Sequence, residues 1–205
     1  MGGWLRPSGG LLYHWRARKN AGRWLTFQRD ISEWLKDWDV PRHELVIIGP
    51  SGGYTLPSDW LGTFSKITAY DLDPWAPWFF KKQHPLAKIE FRKLNVFWEH
   101  GNLSLVPIRN ILKEHPRSPL LFSNVLGQVL LEGRASEFEW SVFLLGLRSQ
   151  LTNHRWASYH DRLTHEKSEI IDHLTGGAWT EGLPLKSFRW QLTSSSLHEI
   201  DGVQA

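Results

Sequence analysis

Glu44-Leu45-Val46-Ile47-Ile48-Gly49-Pro50-Ser51-Gly52-Gly53-Tyr54 is an apolar run that ends in a glycine-rich turn, and Ala69-Tyr70-Asp71-Leu72-Asp73-Pro74 follows it, with Asp71 22 residues after Gly49. A short β-branched run closed by Gly and Pro reads as a buried strand. Glycines at its end let the backbone turn sharply and approach another group closely, because no Cβ intervenes. An acid ending the next strand, about 20 residues on, is placed to accept hydrogen bonds from ribose hydroxyls. Asp73, directly before Pro74, reads instead as a helix N-cap with proline at the first helical position.

Strand and helix patterns alternate outward from this pair. Strands are predicted over 44–48, 66–70, 88–92, 120–123 and 155–159, and helices near 58–64, 74–83, 107–114, 135–151 and 166–174. Such alternation calls for a parallel sheet covered on both faces. Residues 188–192 and 197–200 are strand-like and separated only by Thr193-Ser194-Ser195-Ser196, which permits only an antiparallel connection.

Upstream, Trp24, Phe27, Ile31, Trp34, Leu35 and Trp38 recur at helical spacing, and Pro41 ends that helix. Residues 1–22 are rich in Gly, Pro and bases and read as an extension or loose arm. From Met1 to Arg29 there are bases at Arg6, Arg16, Arg18, Lys19, Arg23 and Arg29 and no acid, which suits a solvated flank or a contact for an acidic partner or RNA. The organisation expected is therefore a basic extension and helix over 1–43, packed on an α/β domain over 44–205.

Composition narrows the chemistry. The chain has 205 residues and no cysteine, which excludes a disulfide framework, a Cys-ligated metal and a thiol nucleophile. A net charge of +3 is too mild to imply nucleic-acid binding by itself. Neither a signal peptide nor an apolar run of membrane-spanning length is visible, so a cytoplasmic, non-membrane protein is expected. No metal site is expected.

Two further loops carry polar candidates. Asn124 and Gln128, after the fourth strand, have the donors and acceptors to orient a substrate. His160, beside Asp161 at the end of the fifth, could serve as a general base. Of the 13 tryptophans, Trp24, Trp34, Trp38 and Trp140 sit in helical stripes and read as core or interface. Trp75, Trp78, Trp98 and Trp156 lie near strand ends or follow the ribose-type acid, where they could stack on a flat ligand or substrate.

The glycine turn, the acid pair and the terminal hairpin together resemble the class I, Rossmann-like methyltransferases that use S-adenosylmethionine, over residues 44–203. The resemblance implies a mostly parallel seven-stranded sheet with helices on both faces and a C-terminal antiparallel hairpin. It implies S-adenosylmethionine as cofactor, held by Gly49, Ser51, Gly52, Gly53 and Asp71, with Asn95 and Val96 beside the adenine. Asn124 and His160 would be catalytic, and Gln128 and Trp156 would meet the methyl acceptor, a small molecule or a macromolecule. Ile47 stands where the family usually has an acid, Ser51 replaces its middle glycine, and Asn95 stands where an aspartate is common. These departures carry a second reading, a methyltransferase-like binding or scaffold protein without catalysis. A third rests on Gly49-Pro50-Ser51-Gly52-Gly53 as the Gly-x-Ser-x-Gly elbow of a serine hydrolase, with Asp161 and His198 as partners.

Overall fold

Along β1 (Glu44–Ile48) successive side chains point to opposite faces of a sheet, and Leu45, Val46, Ile47 and Ile48 are all buried. A strand buried on both faces belongs at the centre of a parallel sheet. The computed structural model, which describes residues 10–126, 129 and 135–159 without the side chains of 23 and 24, places it there.

The other strands are β2 (Lys66–Asp71), β3 (Ile89–Lys93), β4 (Trp98–Glu99), β5 (Asn102–Leu103), β6 (Leu120–Ser123) and β7 (Trp156–Tyr159). Five of them form one parallel sheet in the order β3-β2-β1-β6-β7. Ile47 is in register with Ala69 on one side and Leu121 on the other. The helices are α1 (Leu11–Lys19), α2 (Leu25–Asp37), α3 (Ser58–Leu61), α4 (Ala76–Gln83), α5 (Val106–Glu114) and α6 (Glu137–Leu151), with a 3-10 turn at Ala21–Trp24.

The alternation along β1 divides the core in two. Val46, Ile48 and Phe122 pack with Ile108 and Ile111 of α5, Trp140 and Leu144 of α6, and Trp156. Leu45, Ile47 and Leu121 pack on the other side with Phe27, Ile31 and Leu35 of α2, Leu61 and Tyr159. Phe27, Ile31 and Leu35 of the helical stripe read from the sequence are thus the core-facing side of α2. Helix α6 starts on a capping box, in which the Ser136 hydroxyl accepts from the Glu139 amide and the Glu139 carboxylate accepts from the Ser136 amide.

Three expectations change. The sheet among the described residues has five strands, not seven; the expected terminal hairpin and the helix at 166–174 lie outside those residues. A small antiparallel hairpin, β4–β5, stands apart from the main sheet and was not expected. Its strands are two residues each, too short for a period-2 pattern to show. Its turn places His100 and Gly101 at φ 50 and 86, the hand that a two-residue hairpin loop requires. Finally, residues 11–19, read as part of a loose arm, form α1. Pro7 and all the glycines that suggested an arm except Gly22 lie before the helix, and the contact that holds the helix is a long-range one described below.

Candidate functional site

Strand order reverses between β1 and β6, and an open α/β sheet binds its ligand at the carboxyl ends of the strands flanking such a reversal. A cleft of about 320 Å³ opens there. The β1 loop (Gly49, Pro50, Ser51, Tyr54) meets the β2 loop (Asp71–Asp73), the β3 loop (Leu94–Trp98) and the β6 loop (Asn124, Val125) at its walls.

The glycine turn is built from close approaches. Gly49 and Gly53 have φ +67 and +70, in the left-handed region that glycine occupies at little cost. A Cβ on Gly49 would stand 2.8 Å from the Cβ of Val125. One on Gly53 would stand 2.7 Å from the His84 ring and from Phe80. His84 is buried, and its Nε2–H donates to the Gly53 carbonyl at 2.8 Å. That leaves Nδ1 to accept from the Ser58 hydroxyl at 2.7 Å, the arrangement of a neutral ring. Burial accordingly holds the His84 imidazole below its ordinary pKa.

Asp71 has a task within the fold itself. Its Oδ2 accepts from the Ser51 amide at 2.7 Å and its Oδ1 from the Asp73 amide at 2.8 Å, so it ties the β1 and β2 loops together. Burial pushes its carboxyl above the ordinary value, against the pull of these two amides. Each carboxylate oxygen has two lone pairs, so capacity for a ligand hydroxyl remains. Ser51 sits at φ 49, and its Oγ is buried without a hydrogen-bond partner among the described residues.

Asp73 does not cap the helix as expected: the N-cap of α4 is Trp75, with no side-chain capping bond. The Asp73 Oδ1 accepts from the Trp75 amide at 2.9 Å, a turn that leads into α4, which begins two residues later than expected. Its Oδ2 accepts from the Gly10 amide and from His14 Nε2, both at 2.9 Å. The His14 ring is fully buried and stacks on Phe79 with centroids 3.9 Å apart. Its Nδ1 lies 2.9 Å from the Tyr54 hydroxyl, so the ring bridges Asp73 and Tyr54. Through these bonds α1 is fastened over the cleft, and Tyr13 and Ala17 become part of its wall. Burial also pushes the Tyr54 phenol up, and Tyr13 adds to the effect.

The Asp73 carboxyl sits below its ordinary value of 3.8: burial opposes ionisation, but His14 and the Gly10 and Trp75 amides outweigh it. A depressed carboxylate contributes stability that is complete above its unfolded pKa and is lost as pH falls through the folded one. Asp73→Asn is therefore expected to cost about 2 kcal/mol at neutral pH. The gap between variant and parent should close as the pH is lowered below 3.8, measured by urea unfolding across that range.

Of the residues singled out from the sequence, Gly49, Ser51, Asp71, Asn95, Val96 and Asn124 line the cleft. Gly52 and Gly53 shape the turn without lining it. The Asn95 side-chain Oδ1 accepts from the Trp98 amide at 3.1 Å and so turns the chain after β3. Asn124 has φ 53, and its amide donates to the Tyr159 carbonyl at 2.8 Å. Trp156 is a correction: it is 1% exposed and packs edge-on to Phe122 in the core. A strand buried on both faces has no free face for stacking a substrate. Gln128 and His160, with Asp161 and His198 of the elbow reading, lie outside the described residues. Sequence reasoning missed His14, Tyr13 and Tyr54. Tyr54 follows the glycine turn directly and was within reach, whereas His14 is identified only by its fold partner.

No known family model matches the sequence, and no curated protein matches it. Among solved structures, the chain is similar to one titled as a DhpI-SAM-HEP complex, at 14% identity over 88% of this chain and 75% of that one, with a TM-score of 0.44. It is similar to a DhpI-SAH complex at 16% identity, covering 88% and 90%, with a TM-score of 0.46. It is also similar to a chain described as a Zn-dependent alcohol dehydrogenase of Rhodobacter sphaeroides, at 12% identity over 77% and 62%, with a TM-score of 0.45. These likenesses are of fold. No cluster of three or more metal-ligating side chains occurs among the described residues, and no helix there is long and apolar enough to cross a membrane.

Proposed function

We propose that the cleft binds S-adenosylmethionine and that the chain transfers its methyl group to an acceptor. The observation that carries this reading is the meeting of the glycine turn and Asp71 at the switch point, in a cleft whose chemistry changes along its length. Asp71 offers a carboxylate for ribose hydroxyls, and Leu94, Val96 and Phe97 offer an apolar wall beside Asn95 for a base. Gly49 and Ser51, at the wall of the cleft, would face the methionine portion. When bound, the sulfonium supplies an activated methyl; the protein's part is to hold and align the reactants. Asn124 stands at the β6 end of the cleft, where an acceptor would be oriented.

The test is a titration of the full chain with S-adenosylhomocysteine, read by tryptophan fluorescence and calorimetry. Saturable binding is expected, weakened about 100-fold or more in Asp71→Ala, because two hydrogen bonds to a charged group disappear and the glycine turn loses its tie. Absence of saturable binding in the parent chain overturns the proposal.

One observation favours binding without catalysis: no described histidine lines the cleft, since His14 is buried behind Tyr54. Saturable binding with no label transferred from S-adenosyl[methyl-3H]methionine to cell extract would select that reading. Covalent labelling of Ser51 by a fluorophosphonate would select the hydrolase instead.

A further inference from the structure

The other side of α1 is unused by the cleft. Leu11, Trp15, Arg18 and Lys19 there face Trp75, Trp78 and Phe79 of the α4 region across an open groove of about 690 Å³. Large aromatics on a protein surface are ordinarily turned inward, yet Trp15 is 58% exposed and Trp78 56%. Each carries a cation over its ring: Lys19 Nζ lies 4.9 Å from the Trp15 centroid and Lys82 Nζ 5.2 Å from that of Trp78. Neither α1 nor α4 contains an acid, so the positive charge of Arg16, Arg18, Lys19, Lys81 and Lys82 is not offset along either helix. The acid nearest α4 in sequence, Asp73, is committed to His14 and Gly10.

We infer that this groove binds single-stranded nucleic acid, its bases stacking on Trp15 and Trp78 and its phosphates held by Arg18, Lys19 and Lys82. The proposal rests on the juxtaposition of exposed indole faces with cations that no acid of α1 or α4 offsets, in one concave surface, and it does not depend on the methyl-transfer reading. Single strands are held in this way, by a basic track for the backbone and aromatic platforms for the bases. A duplex hides its base faces and could use only the cations. An anionic membrane is the poorer match, because an interfacial helix needs a broad outward apolar face. In α1, Tyr13 and His14 are turned to the cleft and to Asp73 instead.

The test is fluorescence anisotropy of the full chain with a fluorescein-labelled ten-nucleotide oligouridylate. Saturable, salt-sensitive binding is expected. Trp15→Ala and Trp78→Ala should each weaken it about tenfold. Arg18→Glu with Lys19→Glu should weaken it further and reduce the slope of log affinity against log salt by about two. Phe138→Ala, an exposed aromatic on α6, should leave it unchanged, and circular dichroism of each variant establishes that the fold is kept. The inference is overturned if the oligonucleotide does not bind, or if the tryptophan variants bind as the parent does. Equal affinity for a ten-base-pair RNA duplex or for inorganic polyphosphate, or binding to phosphatidylserine vesicles in its place, overturns it as well.

Discussion

Replacing Trp156 by alanine is expected to lower the unfolding free energy by about 3–5 kcal/mol, the range for deleting a buried tryptophan. The residue is 1% exposed on β7, edge-on to Phe122, within the cluster that α6 closes with Trp140 and Leu144. Removing the indole forfeits its transfer energy and leaves a cavity that a parallel strand, fixed by its hydrogen bonds to β6, cannot collapse to fill. Urea unfolding should show a lower midpoint at an unchanged slope, the signature of a stability change alone. Trp156→Phe keeps an aromatic ring in place and should recover more than half of the loss. Had Trp156 been a substrate platform, both variants would have unfolded like the parent.

The second large effect is expected at Gly53. An alanine there must hold φ +70, which costs an L-residue about 1–2 kcal/mol. Its Cβ would also meet the His84 ring and Phe80 at 2.7 Å. Neither neighbour is a flexible chain end: both are buried, and His84 is fixed by Ser58 on one nitrogen and by the Gly53 carbonyl on the other. Strain and overpacking together should cost about 3 kcal/mol. Gly101→Ala is the comparison, since φ there is +86 but nothing lies within 4 Å of the added Cβ, so it should cost only the conformational part. Thermal unfolding of the two variants side by side separates the terms.

The main sheet was legible because its strands obey one rule each. Leu45 to Ile48 is uniformly apolar since both faces are covered, and Gly49 and Pro50 mark its end. Asp71 was legible at the cleft because its position relative to Gly49 follows from the length of a β–turn–helix–β unit. Its tie to Ser51 was not, because an amide donor has no side-chain signature. His14 was invisible for a similar reason. Nothing within LLYHWRARK distinguishes a buried histidine from an exposed one, and its partners stand 40 and 59 residues away at Tyr54 and Asp73. Trp156 was misread because a large aromatic near a strand end serves a core and a binding surface equally well.

The attachment of α1 also orders the assembly of the molecule. Its bond from Gly10 to Asp73 spans 63 residues, whereas pairing of β1 with β2 joins Glu44 to Lys66 across 22. Contacts of long sequence separation carry the larger loop-closure cost and form after the local ones that reward it. During synthesis, residues 10–19 leave the ribosome before residue 73, and their anchor exists only after that residue has emerged and β2 has paired. This helix therefore docks late, and the cleft acquires that wall only once the sheet beneath it stands.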